Sequence, residues 1–430
     1  MAEGQRRSGL TTRLPLERIV FDGEVAMRNA LMKDSRFRKL SERHDGEETL
    51  AARRTLLLSA LRLTPEMAPE PFAALAQVRR TLALQGEIEL YCVSSRDINA
   101  FVARSSSGPV LLGLTSEALE RFDATELRFV LGHELGHVLF DHFRLSPAVL
   151  AEDDEVAPIH LVRLCAWCRY AELTADRVGL LCADDYDAAV RAFFKLTSGL
   201  SGASYLRHAE LQAEQYTAVH AEGLESDASD WLSTHPYGPL RVKALDLFAR
   251  SETYHELLGR RGSSAGFHRL LGRSGSLLSE KELEREVGAI VKLMDPTFLH
   301  DESDSAPVVK EFLALAGMKV ALADGTVQRG EREALGKLVG KRGVTQAKEQ
   351  LLALDAEGHE ARLAELCHTL ALKLSLNRRG RLIEDLVVVA LADRELHDAE
   401  VAVILDSAER LGVSVDLVER AVARTFATLD

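Results

Sequence analysis

Apolar residues recur at helical spacing along most of this chain and at strand spacing over one short stretch. Leu127, Val130, Leu131, Leu135, Val138 and Leu139 form a stripe with intervals of three and four, which predicts one long helix. Asp123 followed three residues later by Glu126 supplies a capping-box start for it. Similar stripes predict helices over residues 25–39, 49–63, 72–84, 161–181 and 187–196, and Pro65, Pro69 and Pro71 break the pattern between the second and third of these. Ile88–Val93 alternates as a strand does, and residues 98–102 and 109–114 read as two more strands joined by a turn over 104–108. Thr115-Ser116-Glu117 opens a further helix. The pattern predicts a small antiparallel sheet just ahead of the long helix.

The last third of the chain repeats itself. Val320-Ala321-Leu322-Ala323-Asp324-Gly325 is followed by Glu331, and Val389-Ala390-Leu391-Ala392-Asp393-Arg394 by Glu400; in both, the acid precedes the Glu by seven residues. Each unit reads helix, tight turn, helix, with Leu335, Leu338 and Val339 matching Ile404, Leu405 and Leu411 as core positions. Arg394 stands where the first copy has a turn glycine. The motif lacks the dense oxygen ligands of a calcium loop, so Asp324 and Asp393 read as helix-boundary residues. Ahead of the repeat, Gly262-Ser263-Ser264-Ala265-Gly266 and Gly272-Arg273-Ser274-Gly275-Ser276 read as a flexible linker.

The chain has 430 residues, enough for two or three domains. Aromatics are few, at 6%, while Ala, Leu, Glu and Arg abound, which suits a mainly helical protein. The formal net charge of −13 argues against nucleic acid and anionic membrane surfaces as general partners. Five cysteines are too sparse for a disulfide framework and favour a reducing, cytoplasmic compartment. Cys165 and Cys168 lie inside a helical pattern and read as buried thiols. Arg6 and Arg7 precede no apolar run, and no segment approaches the roughly 18 apolar residues of a spanning helix; neither a signal peptide nor a transmembrane segment is expected. The run Glu152-Asp153-Asp154-Glu155 reads as a solvated loop.

Candidate chemistry centres on His133-Glu134-Leu135-Gly136-His137, inside the long helix. Positions four apart share a helix face, so His133 and His137 can offer two imidazole nitrogens to one metal ion, with Glu134 beside them to reach a metal-bound water. This is the HExxH arrangement of zinc peptidases. Catalytic zinc takes a third protein ligand. Glu172, on a later helix, can complete a two-His, one-Glu site, and Asp176, four residues on, can accept the free ring N–H of a ligand histidine. His142, five residues past His137 and off the shared face, reads as an exposed or capping residue.

Together, Asn99-Ala100-Phe101, His133-Glu134-Leu135-Gly136-His137, Arg169-x-x-Glu172-x-x-x-Asp176 and Thr234-His235-Pro236 with Arg241 resemble the HtpX and CAAX-prenyl-protease family of zinc metallopeptidases, in that family's order. The repeated tail resembles the TerB-like helical domain named for tellurite resistance. The first resemblance implies an α+β zincin-like (gluzincin) catalytic domain that binds one Zn²⁺ per chain through His133, His137 and Glu172, with Glu134 as general base. It further implies that His235 stabilises the oxyanion, that Arg241 supports it, and that the strand of Asn99, Ala100 and Phe101 lines the cleft and pairs with an extended peptide or unfolded protein. The expected layout is a helical lead-in over 1–71 without visible chemistry, a peptidase domain over 72–258, a linker and connecting helix over 259–305, and an all-α domain over 306–430 that docks a protein partner. The function implied is a soluble zinc endopeptidase in protein quality control or stress response. The competing reading is a stress-response adaptor whose zinc site is structural or latent.

Overall fold

The computed structural model describes residues 10–43, 47–103, 108–145, 158–201, 215, 233–259, 277–295, 306–323, 325, 327–340, 343–345, 349, 355–393, 397–415 and 418. The acidic run 152–155, the turn over 104–107, most of the glycine-rich linker (260–276), Asp324 and Arg394 lie outside them, as does the side chain of Asp393. Contacts divide the described residues into two units. The first takes in those within Met1–Leu145, Trp167–Ala218 and His235–Val291, the second those within Ser146–Ala166, Val219–Thr234 and Lys292–Asp430.

In the first unit the lead-in folds as α1 (Asp22–Leu31), α2 (Ser35–Arg43) and α3 (Glu47–Ser59). The chain then forms β1 (Leu61–Arg62), α4 (Pro69–Thr81), β2 (Ile88–Val93), β3 (Ala100–Ala103), β4 (Val110–Thr115) and α5 (Ser116–Arg121). The helical stripe expected to run to residue 63 stops at Ser59, and Leu61–Arg62 pairs antiparallel with Tyr91 and Cys92 instead. The sheet has the order β1-β2-β4-β3. It is mixed, not wholly antiparallel: β2 and β4 run parallel, with Ile88 opposite Val110, and β3 is antiparallel to β4. β4 is therefore a central strand and buried throughout, which explains its unbroken apolar run. A charge is accommodated on β2 by pairing: buried Glu89 receives Arg53, Arg62 and the Tyr91 hydroxyl.

The long helix α6 spans Ala124–Leu139. Its expected capping box forms: Asp123 Oδ1 accepts from the Glu126 N–H at 2.9 Å and Glu126 Oε2 from the Asp123 N–H at 2.9 Å. The fully buried Glu126 also takes Arg191 and Lys195 from α8 (Tyr186–Ser198), which ties the start of α6 to its neighbour. Between them in sequence is α7 (Pro158–Ala183); its residues to Ala166 group with the second unit and those from Trp167 with the first. Helices α9 (Gly238–Ala249), α10 (Glu252–Leu257) and α11 (Glu280–Val291) complete the first unit.

The close packing of α6 on α7 rests on glycine. A Cβ on Gly136 would stand 3.0 Å from the Ala175 Cα, and one on Gly132 2.7 Å from the Cys182 Cβ. Small residues at these points let two helix backbones approach, which matters because each helix carries part of the site.

The second unit is helical: α12 (Ala306–Ala321), α13 (Arg329–Leu338), α14 (Ala356–Lys373), α15 (Leu376–Ala390) and α16 (Asp398–Leu411). Phe312, Leu335, Leu366, Ile383, Leu386 and Ile404 are among the side chains of its core. The repeated glutamates have one job in both copies. Glu331 accepts from the Gln328 N–H at 2.7 Å and Glu400 from the His397 N–H at 2.8 Å, each closing the first turn of its helix. The repeat is thus a helix-boundary device with apolar residues behind it. Cys165 is buried and Cys168 half-buried.

Candidate metal centre

His133 and His137 project from one face of α6 and Glu172 from α7 toward them. The two Nε2 atoms are 3.1 Å apart. Glu172 Oε2 is 3.5 Å from His133 Nε2, and its Oε1 is 3.4 Å from His137 Nε2. Four ligands at about 2.0–2.1 Å from a tetrahedral zinc are themselves roughly 3.3–3.4 Å apart, so the spacing and the two-imidazole, one-carboxylate donor set fit that ion. Among the described residues, this is the group of His, Cys, Asp and Glu able to hold a metal.

Each histidine is oriented through its other nitrogen. His133 Nδ1 lies 2.9 Å from Asp176 Oδ1, one turn beyond Glu172. Asp176 in turn accepts two hydrogen bonds from Arg241 of α9, at 2.9 and 2.6 Å. Arg241 also reaches Glu172 at 3.0 Å and lies over the Phe193 ring at 4.7 Å. Burial opposes ionisation of both Glu172 and Asp176, but Arg241 and the facing histidines outweigh it and hold both carboxyls below their ordinary values. The same two acids hold the buried Arg241 charged. Burial pushes His137 down, leaving it neutral, the form in which imidazole ligates metal.

Glu134 takes the opposite course. Burial pushes its carboxyl up to about 7, with nearby Glu172 adding to the shift and His133 and Arg241 opposing it. A carboxylate poised near neutrality is suited to take and return protons.

A cavity of about 810 Å³ opens over these groups, lined among others by Glu134, Glu172, Asn99, Val102 and His235. His235 sits exposed at its rim, just before buried Pro236, with Nε2 3.4 Å from Glu172 Oε1. Asn99 immediately precedes β3. Its backbone pairs with Thr115, and its side-chain Oδ1 accepts from the Ala100 N–H at 2.9 Å. Phe101 lines the cavity and also packs with Leu56, Tyr91 and Leu111, its ring lying where a Cβ on Gly113 would stand.

Two residues belong to this neighbourhood against expectation. His142 is buried, not exposed or capping, and its Nδ1 is 2.8 Å from His137 Nδ1. The cause is Asp141, which adopts a left-handed conformation (φ 58°) right after α6 and turns the chain back on the helix. Glu24 of α1 is fully buried against His142, so the lead-in reaches this neighbourhood. Its sequence signal was an acid at a stripe position shared with buried Met27 and Leu31.

Comparison with known proteins agrees in outline. Residues 72–153 and 154–249 match peptidase family M48, and residues 311–423 match the tellurite resistance protein TerB. The plastoglobule-localized metallopeptidase 48 of Arabidopsis thaliana chloroplasts is 29% identical over 188 residues, 40% of this chain and 55% of that protein. Protease HtpX homologues of Helicobacter pylori (strain Shi470) and Helicobacter acinonychis (strain Sheeba) are each 36% identical over 66 residues, 15% of this chain and 21% of theirs. The chain thus spans about half the length of the first relative and a fifth of the others. No solved structure matches it.

Proposed function

From the premise that this chain carries a peptidase family M48 domain with a TerB domain behind it, we propose that it is a zinc-dependent endopeptidase. The observation that carries this reading is the meeting of His133 Nε2, His137 Nε2 and the Glu172 carboxylate within 4.8 Å of one another, under a cavity that also holds Glu134. A zinc ion held there would polarise the scissile carbonyl and lower the pKa of a bound water.

The chain's own residues supply the rest. Glu134, inside the cavity next to His133, takes the proton of the attacking water and hands it to the leaving amine nitrogen. His235, before Pro236 at the cavity rim, donates its ring N–H to the carbonyl oxygen as negative charge builds there. Arg241 keeps Asp176 and Glu172 ionised and aimed. β3 ends the sheet, and an extended peptide laid along it adds a strand beside Asn99, Ala100 and Phe101. Among the described residues no helix is long and apolar enough to cross a membrane, and the odd, sparse set of five cysteines favours a reducing compartment such as the cytoplasm. The peptidase domain spans 72–258, and the all-α domain (306–430) serves to dock a protein partner. The substrates are peptides or unfolded proteins.

Glu134→Gln tests the assignment. It should retain one zinc per chain by metal analysis and lose at least ~100-fold of its turnover of casein, while chelator abolishes wild-type cleavage. Equal rates for variant and wild type would remove Glu134 from the mechanism; cleavage insensitive to chelator would remove the metal.

A further inference from the structure

We propose that Glu24, acting through His142, is a positioning residue for the metal ligand His137. The inference rests on the reading of His133, His137 and Glu172 as a zinc site, but concerns two residues which that reading leaves without a role.

The hydrogen-bond logic runs outward from His137. Its Nε2 faces His133 Nε2 and Glu172 Oε1 and must be unprotonated to ligate, so its proton lies on Nδ1. That N–H meets His142 Nδ1 at 2.8 Å. His142 Nδ1 must then accept, which leaves the His142 proton on Nε2, 3.4 Å from Glu24 Oε1. Glu24 Oε2 accepts from the Thr174 hydroxyl at 2.6 Å. The Thr174 oxygen accepts the Phe21 N–H at 3.1 Å. One choice of tautomers sets a donor opposite an acceptor at every step; the His142–Glu24 step, at 3.4 Å, is an ion-pair approach and the loosest of them.

The surroundings hold the path in place. The His142 ring is stacked on Phe140 (centroids 5.9 Å) and meets Trp167 edge-on (5.8 Å). Burial alone would push the Glu24 carboxyl up; the facing His142 ring and the Thr174 hydroxyl outweigh it and hold it down. A buried carboxylate costs several kcal/mol unless partnered, and packing gives no reason for an acid at this stripe position of α1. Its partners here are the Thr174 hydroxyl, Arg28 Nη1 at 3.9 Å and a ring whose far side touches a metal ligand. Carboxylates placed behind ligating histidines fix the ring and raise its basicity. Asp176 occupies that place behind His133 directly; Glu24 occupies it behind His137 with one imidazole interposed. Because Thr174 is two residues from Glu172 on α7, the same network also fastens α1 to the helix that carries the third ligand.

The test measures zinc affinity by chelator competition in full-length wild type, Glu24→Gln, His142→Phe and the double variant, with the visible spectrum of the cobalt-loaded forms alongside. Glu24→Gln keeps the size and removes the charge, so it remains informative should His142→Phe fail to fold. Zinc affinity should fall about 10-fold in Glu24→Gln and 10- to 100-fold in His142→Phe. The double variant should be no worse than His142→Phe alone, because both act through one path. The cobalt band should shift in each, which a loss of stability elsewhere would not cause. Affinities within twofold of wild type, additive losses in the double variant, or an unchanged cobalt band would each overturn the proposal. Failure of wild type itself to bind one zinc per chain would instead overturn the zinc-site reading on which it stands.

Discussion

At the scale of single residues the site is a contest between burial and charge, and Glu134 is where burial wins. Its folded pKa of about 7 lies above the ordinary 4.5, so the folded metal-free protein prefers the protonated acid. That preference adds stability in full below about pH 4.5 and is lost as the pH rises through 7. Glu134→Gln imitates the protonated form at every pH. In metal-free protein it should therefore raise stability at pH 8 by about 2 kcal/mol, a figure below the full shift because the side chain faces an open cavity. At pH 4.5 it should change little. Thermal melts in chelator at the two pH values check this, and an equal shift at both would show that the carboxyl is not pushed up. What was legible at this scale followed from fixed offsets on helices: the i, i+4 pairs His133/His137 and Glu172/Asp176 stand where helix geometry puts them. His142 and Glu24 were not legible, because one depends on the left-handed turn at Asp141 and the other on a partner 118 positions away in the chain. Neither relation has a local period to read.

At the scale of elements, two devices bring the site together, a close helix pair and an open strand edge. Gly136 adjoins His137 on α6, and the Ala175 it touches lies one turn from Glu172 on α7. Gly136→Val should force these backbones apart, lowering stability by about 1–3 kcal/mol and weakening zinc uptake with it. Gly288 on α11 meets nothing within 4 Å of an added Cβ, so Gly288→Ala should be neutral or slightly stabilising in the same melts. Retention of full zinc affinity in Gly136→Val would mean that the ligands do not depend on that approach. On the sheet, the Asn99 carbonyl accepts the Thr115 N–H. Since bonded pairs alternate along an antiparallel ladder, Phe101 and Ala103 turn toward β4, and Ala100 and Val102 turn their N–H and C=O groups outward. Val102→Pro therefore deletes an outward donor and spares the ladder. It should lower kcat/KM for long peptides by about tenfold, one hydrogen bond's worth, with zinc affinity and melting unchanged. Equal cleavage by the variant would count against strand addition. β2, β3 and β4 were readable to within two residues, whereas the two-residue β1 was hidden in the end of a helical stripe. Their order was not, because β2 and β4 pair in parallel across the excursion through β3, and pairing partners leave no mark on local pattern.

At the scale of the whole molecule, the site and the repeated helices lie in different contact units. Sequence revealed the repeat because Glu331 and Glu400 close equivalent helix starts, each four residues ahead of a core side chain, Leu335 and Ile404. It gave no sign that α7 contributes its earlier residues to one unit and its later ones to the other, since that helix reads as one apolar stripe. Every proposed zinc ligand belongs to the first unit. A ligand that binds only the folded form stabilises whatever unfolds together with its site, by about 4 kcal/mol at a thousandfold excess over Kd. Native-state hydrogen exchange with and without zinc measures how far that extends. If the units open independently, zinc should slow exchange in α6, in residues 167–183 and in α9 by up to about a thousandfold, while α12 to α16 exchange as before. Val162 sits in the second unit's core although it is part of α7, so residues 158–166 should follow the second unit and stay unaffected. A gain of equal size in both sets of helices would show one cooperative body, in which occupancy of the metal site governs the stability of the whole protein, the TerB domain included.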